Sequence, residues 1–218
     1  MESAPRRAVI VPLGSLEQHG PHLPLDTDTR IAVAVARAVA AVRPGVSMAP
    51  PVAFGASGEH DAFPGTLSIG TAALADMLVE LGRDSRRHWD ALLLVNAHGG
   101  NFDAVAAALR RLEGEGGRCA AYSVSPGNGD AHAGRTETSL LLHFDPSAVR
   151  SELAEAGDSR PLGELLERLR NEGVRAVSPN GVLGDPSGAT ADEGRRLFDA
   201  SVAGCTAMLD MLLETVHA

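Results

Sequence analysis

Cysteine is rare in this 218-residue chain. Cys119 and Cys205 each lie in an apolar context, and neither belongs to a CxxC pair. That pattern argues against a disulfide framework and predicts buried free thiols in a reducing compartment. No apolar run approaches the ~18 residues of a membrane span. Met1 to Arg7 is too short and polar for a signal peptide, so a cytoplasmic protein is expected. Net charge is -9 and no basic patch occurs, which speaks against nucleic acid as a partner. No Gly-x-Ser-x-Gly elbow is present and neither cysteine has a polar setting, which removes a serine or cysteine hydrolase. Lysine is absent and aromatics make up 3%, beside abundant Ala, Gly and Arg. This is the mark of a GC-rich genome rather than of a function. There is no internal repeat and no low-complexity segment.

What is present is one concentrated polar stretch, Gly14-Ser15-Leu16-Glu17-Gln18-His19-Gly20-Pro21-His22-Leu23-Pro24-Leu25-Asp26-Thr27-Asp28-Thr29. It follows a short apolar run, Ala8 to Leu13, that reads as a buried strand bounded by Gly14. The cluster therefore sits at a strand's carboxyl end, where open α/β sheets bind ligands. Glu17 and His19 are two residues apart, so an extended segment points both side chains the same way. Asp28 stands where the chain turns into a helix. Carboxylate, imidazole and carboxylate suit a divalent ion such as zinc, iron or manganese. The plainer alternative is a polar loop in which Asp26 or Asp28 only caps the next helix.

The rest of the chain alternates strand and helix. Helical patterns cover Ile31 to Val42 and Thr71 to Arg86, the latter on Leu74, Met77, Leu78 and Leu81. Val46 to Ala53 reads as an edge-like strand interrupted by Pro50-Pro51. A long Gly-rich loop, Phe54 to Leu67, has the character of a functional loop. Ala91 to Val95 is purely aliphatic, as in a parallel sheet covered on both faces, and opens into Asn96-Ala97-His98-Gly99-Gly100-Asn101. A helix over Phe102 to Leu112 and a strand over Arg118 to Ser123 follow. The next loop is Gly-rich at Pro126 to Asp130, and His132 to Ser139 leads into a short helix, Leu140 to Phe144. From Asp145 the texture changes to a polar excursion, a charged helix over Leu162 to Glu172, loop through Val174 to Gly194, and a long helix over Asp192 to Val216. Core positions expected there are Leu197, Val202, Met208, Leu209 and Leu212. With 44% hydrophobic residues, the chain supports one sizeable core. The expectation is one α/β domain over 1–218, a three-layer α/β/α sandwich around a mostly parallel sheet.

Three loops at strand ends thus carry His or acidic residues: Glu17 to Asp28, Asn96 to Asn101, and His132 to Glu137. Together with Glu59-His60-Asp61-Ala62-Phe63-Pro64-Gly65-Thr66-Leu67-Ser68, they resemble, in order, the motifs of the creatininase (creatinine amidohydrolase) family. The resemblance covers residues 8 to about 145. It implies a creatininase-like fold and two divalent metal ions per subunit, zinc, iron or manganese. Glu17 and His19 would each hold one ion, Asp28 would bridge them, and His98 would join on the Glu17 side. Creatininase itself has Glu two residues after that His, where this chain has Gly100. Relatives of the His-Gly-Gly-Asn form imply Glu137 as the replacement on the His19 side.

The resemblance also implies a mechanism, in which a metal-activated water attacks an amide carbonyl and His132 protonates the leaving nitrogen. For His132 the other reading is a loop anchor. His22 and His60 would line the site or support its ligands, the alternative being solvated or structural histidines. Creatininase covers its small, flat substrate with tryptophans. Here Trp89 is alone and away from the motif loops, which disfavours creatinine. The motif His-Ala-Gly-Arg-Thr-Glu-Thr-Ser and the short length most resemble the family's mycofactocin-system branch, which trims a C-terminal Val-Tyr dipeptide from a modified precursor peptide. Arg135 would then clamp the peptide's carboxylate, unless it serves as a surface residue or an ion-pair partner of Asp130. The alternatives are a formamide or cyclic-amide hydrolase, which shares every metal ligand, and a metal-binding protein without catalysis. The resemblance further implies a closed homo-oligomer, such as a hexamer.

Overall fold

The computed structural model describes residues 7–124 and 130–214. Four parallel strands form one sheet in the order β2-β1-β3-β4. β1 (Ala8–Leu13) and β3 (Ala91–Asn96) are central and every one of their residues is buried. This is the burial expected of aliphatic strands covered on both faces. β2 (Val46–Met48) and β4 (Cys119–Ser123) are the edges. β2 is shorter than the sequence pattern implied. Pro50 and Pro51 have no N–H to offer the ladder, and pairing resumes only as a single bridge between Val52 and Leu13.

Side-chain alternation sorts the strands into two apolar interfaces. Val9, Val11, Leu13, Leu92 and Leu94 pack against α2 (Thr71–Ser85) and α3 (Phe102–Gly114). Ala8, Ile10, Ala91, Leu93 and Val95 pack against α1 (Thr27–Ala41) and α7 (Ala191–Glu214). The result is an α/β/α sandwich. α4 (Arg135–Phe144) adds a third cluster, in which Leu140 and Leu141 meet Ile31, Leu197 and Phe198.

Several boundaries differ from the sequence pattern. α1 starts at Thr27, so Asp28 lies in its first turn. α4 starts at Arg135 rather than Leu140, and its polar first turn carries Glu137. α7 buries Gly194, Ser201, Cys205, Leu209 and Leu213. Leu197, Val202, Met208 and Leu212 are only half-buried, and Leu81 of α2 is exposed. The expected Gly-rich loop at Pro126 to Asp130, apart from Asp130, and the expected continuation of the last helix to Val216 lie outside the described residues.

The final third closes over the site's back. α5 (Leu162–Glu172) and the short α6 (Val174–Val177) bury Leu165, Leu169, Val174 and Val177 with Leu183 and Phe63. The Arg175 guanidinium donates to the carbonyl of Ala62 at 2.8 Å and lies 5.4 Å from the Phe63 ring centre. Leu183 bridges to His132. Both Cys119 and Cys205 are buried free thiols. No helix among the described residues is long and apolar enough to cross a membrane.

Candidate metal centre

The register Leu13↔Asn96↔Ser123 ends β1, β3 and β4 level with one another. The loops leaving them therefore converge on one edge. Asp28 stands at the middle of that convergence and is 1% exposed. Its Oδ1 lies 3.1 Å from His19 Nε2, and its Oδ2 lies 3.2 Å from His98 Nδ1. The Ser15 hydroxyl donates to Oδ2 at 2.7 Å and fixes the carboxylate plane. One oxygen thus faces each imidazole, the arrangement a bridging ligand needs.

Glu17 lies on the His98 side, with Oε2 3.2 Å from His98 Nε2. Its Oε1 is 3.4 Å from His60 Nε2 and 3.7 Å from His132 Nδ1. Neither oxygen makes a hydrogen bond, although the residue is wholly buried. A buried carboxylate left so costs free energy unless a cation compensates it, and the donor types around it are those that hold divalent ions. His19 lies on the opposite side. Its Nδ1–H donates to the backbone carbonyl of Glu17 at 3.1 Å, which turns Nε2 toward Asp28 and, at 3.8 Å, Glu137 Oε2. Metal-ligating histidines carry this kind of backbone support. The other Glu137 anchor is the Ala133 N–H, which donates at 2.7 Å. Ala133 has φ 52, a left-handed backbone that turns its N–H toward Glu137.

Ligand-type atoms close enough to share an ion form four groups among the described residues: Glu17-His19-Asp28, His19-His132-Glu137, Glu17-His60-His132, and Glu17-Glu59-His98. Glu17, His19, Asp28, His98, Glu137, His132 and His60 are thus brought together. Two predicted site residues are not. The Thr138 hydroxyl donates to the Gly134 carbonyl at 2.6 Å, so His22 Nε2–H donates to Thr138 at 2.9 Å. This fastens the first loop to α4, away from the residues lining the cavity. Arg135 is half-exposed and its Nε donates to Glu193 at 2.7 Å. Asp130, the partner considered from sequence, instead accepts the backbone N–H of Arg135.

Sequence reading gave no role to Gln18 or Glu59. The Gln18 amide nitrogen lies 2.8 Å from His60 Nδ1 and 3.1 Å from His132 Nε2. Glu59 Oε1 reaches to 3.6 Å from His98 Nε2. The only signal in the sequence was their position beside motif histidines. Gly100 admits Glu59, because a Cβ there would lie 2.4 Å from Glu59 Oε1 and 2.3 Å from the Ala56 carbonyl.

Charges polarise the cluster. Burial alone would raise Glu17, but His98 and His60 hold it down at about 2. Burial would lower His19, yet Asp28, Glu137 and Glu17 raise it to about 10. Glu137 is pushed up to about 7 by burial, against the pull of His19. Burial, with His19 and His60 nearby, drives His132 well below the usual range and keeps it neutral. A cavity of about 220 Å³ opens onto Asp28, His98, His132 and Glu137, and Ile31, Phe102, Val124, Leu140 and Leu162 give it an apolar wall.

The creatinine amidohydrolase family model matches residues 1–209. The chain belongs to the creatininase family. It is accordingly a metal-dependent hydrolase of amide bonds. A mycofactocin precursor peptide peptidase from Mycolicibacterium smegmatis is 54% identical over 203 residues, 90% of this chain and 82% of that protein. The protein of the same name from Mycobacterium tuberculosis is 52% identical over 207 residues, 91% and 82% of the two chains. Among solved structures, a creatininase mutant of Zn-Zn type superposes with a TM-score of 0.76 at 24% identity, covering 98% of this chain and 92% of that one. A structure described as creatininase Mn gives 0.75 at 22% identity, with the same coverage. At those identities the structures speak for the fold alone.

Proposed function

We propose that this creatininase-family hydrolase is a two-metal peptidase that removes the C-terminal Val-Tyr dipeptide of the mycofactocin precursor peptide. The observation that carries the substrate is the identity above 50% to the two peptidases over about nine-tenths of the chain. Glu17 and His98 would hold one ion, His19 and Glu137 the other, with Asp28 between them. Zinc, iron or manganese would each suit this donor set. Bound there, the ions would supply a water that loses its proton near neutral pH and a Lewis acid for the amide carbonyl.

The chain's own residues do the rest. His132 is neutral and faces the cluster, so it accepts a proton and passes it to the leaving nitrogen. Glu137, whose carboxyl burial pushes up to about 7 in the metal-free cluster, would give up its proton on taking the ion. The apolar wall formed by Ile31, Phe102, Val124, Leu140 and Leu162 takes a substrate side chain. Arg135 clamps the peptide's carboxylate only by leaving Glu193. If Arg135→Ala leaves kcat and KM unchanged, that clamp is dropped.

The test is to load the purified protein separately with iron, zinc and manganese, add the modified precursor peptide, and follow the products by mass spectrometry. Release of Val-Tyr that is lost in Glu17→Ala supports the reading. Folded, loaded protein that releases no dipeptide overturns it in favour of a small-molecule amidohydrolase acting on a linear or cyclic amide. One observation favours that second reading: the creatinine amidohydrolase of Pseudomonas putida is 33% identical over 114 residues, 48% of this chain. We propose further that the protein is a cytoplasmic homo-oligomer. A monomeric mass by light scattering contradicts the assembly.

A further inference from the structure

Gln18 is 6% exposed and lies between two of the site's histidines. Backbone groups fix which way its amide points. The Gly20 N–H can only donate, and it meets Oε1 at 2.9 Å. The Gly181 carbonyl can only accept, and it meets Nε2 at 3.0 Å. The orientation is thus settled without reference to either imidazole.

Nε2 carries two hydrogens. One goes to Gly181. The other points to His60 Nδ1 at 2.8 Å, the shorter of the two imidazole contacts. His60 Nδ1 must then be the bare nitrogen, and His60 Nε2 carries the proton, directed at Glu17 Oε1 3.4 Å away. His132 Nε2, 3.1 Å from the same amide nitrogen, finds no hydrogen left to accept. It must be a donor, and the backbone carbonyl of Gln18 stands 2.8 Å away to receive it. His132 Nδ1 is therefore the bare nitrogen, and it faces Glu17 Oε1 at 3.7 Å.

We propose that Gln18 is a positioning residue that sets two ring tautomers at once. Its side chain makes His60 carry its proton on Nε2, the nitrogen facing Glu17, and its backbone makes His132 present an unprotonated Nδ1 to the metal cluster. This gives the loop at 178–184 a task. Gly181 has φ +83, and a Cβ there would lie 1.9 Å from Gln18 Oε1, so the loop can press its carbonyl onto the amide only as glycine. Asn180 Oδ1 accepts the Val182 N–H at 3.1 Å and shapes the same turn.

The proposal deepens the role given to His132 and rests on the two-metal reading, but its test needs no substrate. The zinc-loaded protein, labelled with ¹⁵N histidine, is examined by two-bond ¹H–¹⁵N correlation at neutral pH, with peaks assigned from His60→Gln and His132→Gln. Both rings should show the Nε2–H pattern. Gln18→Met, matched in length but with no donor, should shift His60 toward a mixture with Nδ1–H and leave His132 unchanged, since the backbone carbonyl remains. Its kcat should fall about 10- to 100-fold at unchanged zinc content, with a smaller change in KM. An Nδ1–H tautomer at either ring in the wild-type protein overturns the proposal, and that spectrum needs no variant to fold. A Gln18→Met spectrum identical to wild type overturns it as well. Failure to cleave peptide, with the tautomers as stated, would count against the substrate reading alone.

Discussion

At the scale of single residues, the site concentrates charge where water cannot screen it. His19 is the clearest case. Its value of about 10 stands above the ordinary 6.5. Protonated His19 therefore stabilises the chelator-treated protein fully below pH 6.5, and that contribution is lost as pH rises through 10. The melting temperature of chelator-treated protein should fall over that window, by less in His19→Gln. Equal slopes in the two proteins would contradict the assignment. The same proton must leave before His19 can bind a metal, so zinc uptake at pH 7 should release protons. Calorimetry in two buffers of different ionisation enthalpy reads that release directly. Gly100 makes a steric prediction. Gly100→Ala places a methyl 2.3 Å from the Ala56 carbonyl and 2.5 Å from His98 Nε2. It should cost about 1–3 kcal/mol of stability by denaturant unfolding, and a cost near zero would show that the loop yields.

At the scale of elements, α4 joins structure to chemistry. Its first turn supplies Glu137 to the cluster, and Thr138 on the same turn holds His22. Thr138→Val keeps the shape but leaves the buried His22 Nε2–H without an acceptor. A loss of about 1–3 kcal/mol is expected by urea unfolding; no loss would mean that His22 finds another partner. This helix also shows what the sequence could not convey. β1 and β3 were legible because unbroken aliphatic runs have one comfortable place, inside a covered sheet. The start of α4 was not, because Arg135 to Ser139 is an unbroken polar run that interrupts the apolar period. Glu17, His19, Asp28 and His98 stood out through residue type and spacing. Gln18 did not, since its partners are 42, 114 and 163 residues away and nothing local marks them. The polar excursion after Asp145 was opaque for the same reason: its work is to press on the loops holding His60 and His132.

At the scale of the whole molecule, two apolar layers hold the strands rigid and leave their carboxyl ends as the place where ligands gather. Burial of the thiols reports on that packing. It pushes Cys119 up to about 11 and Cys205 up to about 12. A thiol reagent at pH 8 should label Cys205 only after denaturation, and rapid labelling of folded protein would show that the α7 interface opens. One buried set of acids and imidazoles, drawn from three loops, is proposed to hold a pair of metal ions. Counting zinc per subunit by elemental mass spectrometry after loading and desalting tests it most directly, in wild-type protein and in Glu137→Gln. Two ions in the first and one in the second is the result expected. Folded wild-type protein that retains no zinc, or Glu137→Gln that still holds two, would contradict the account.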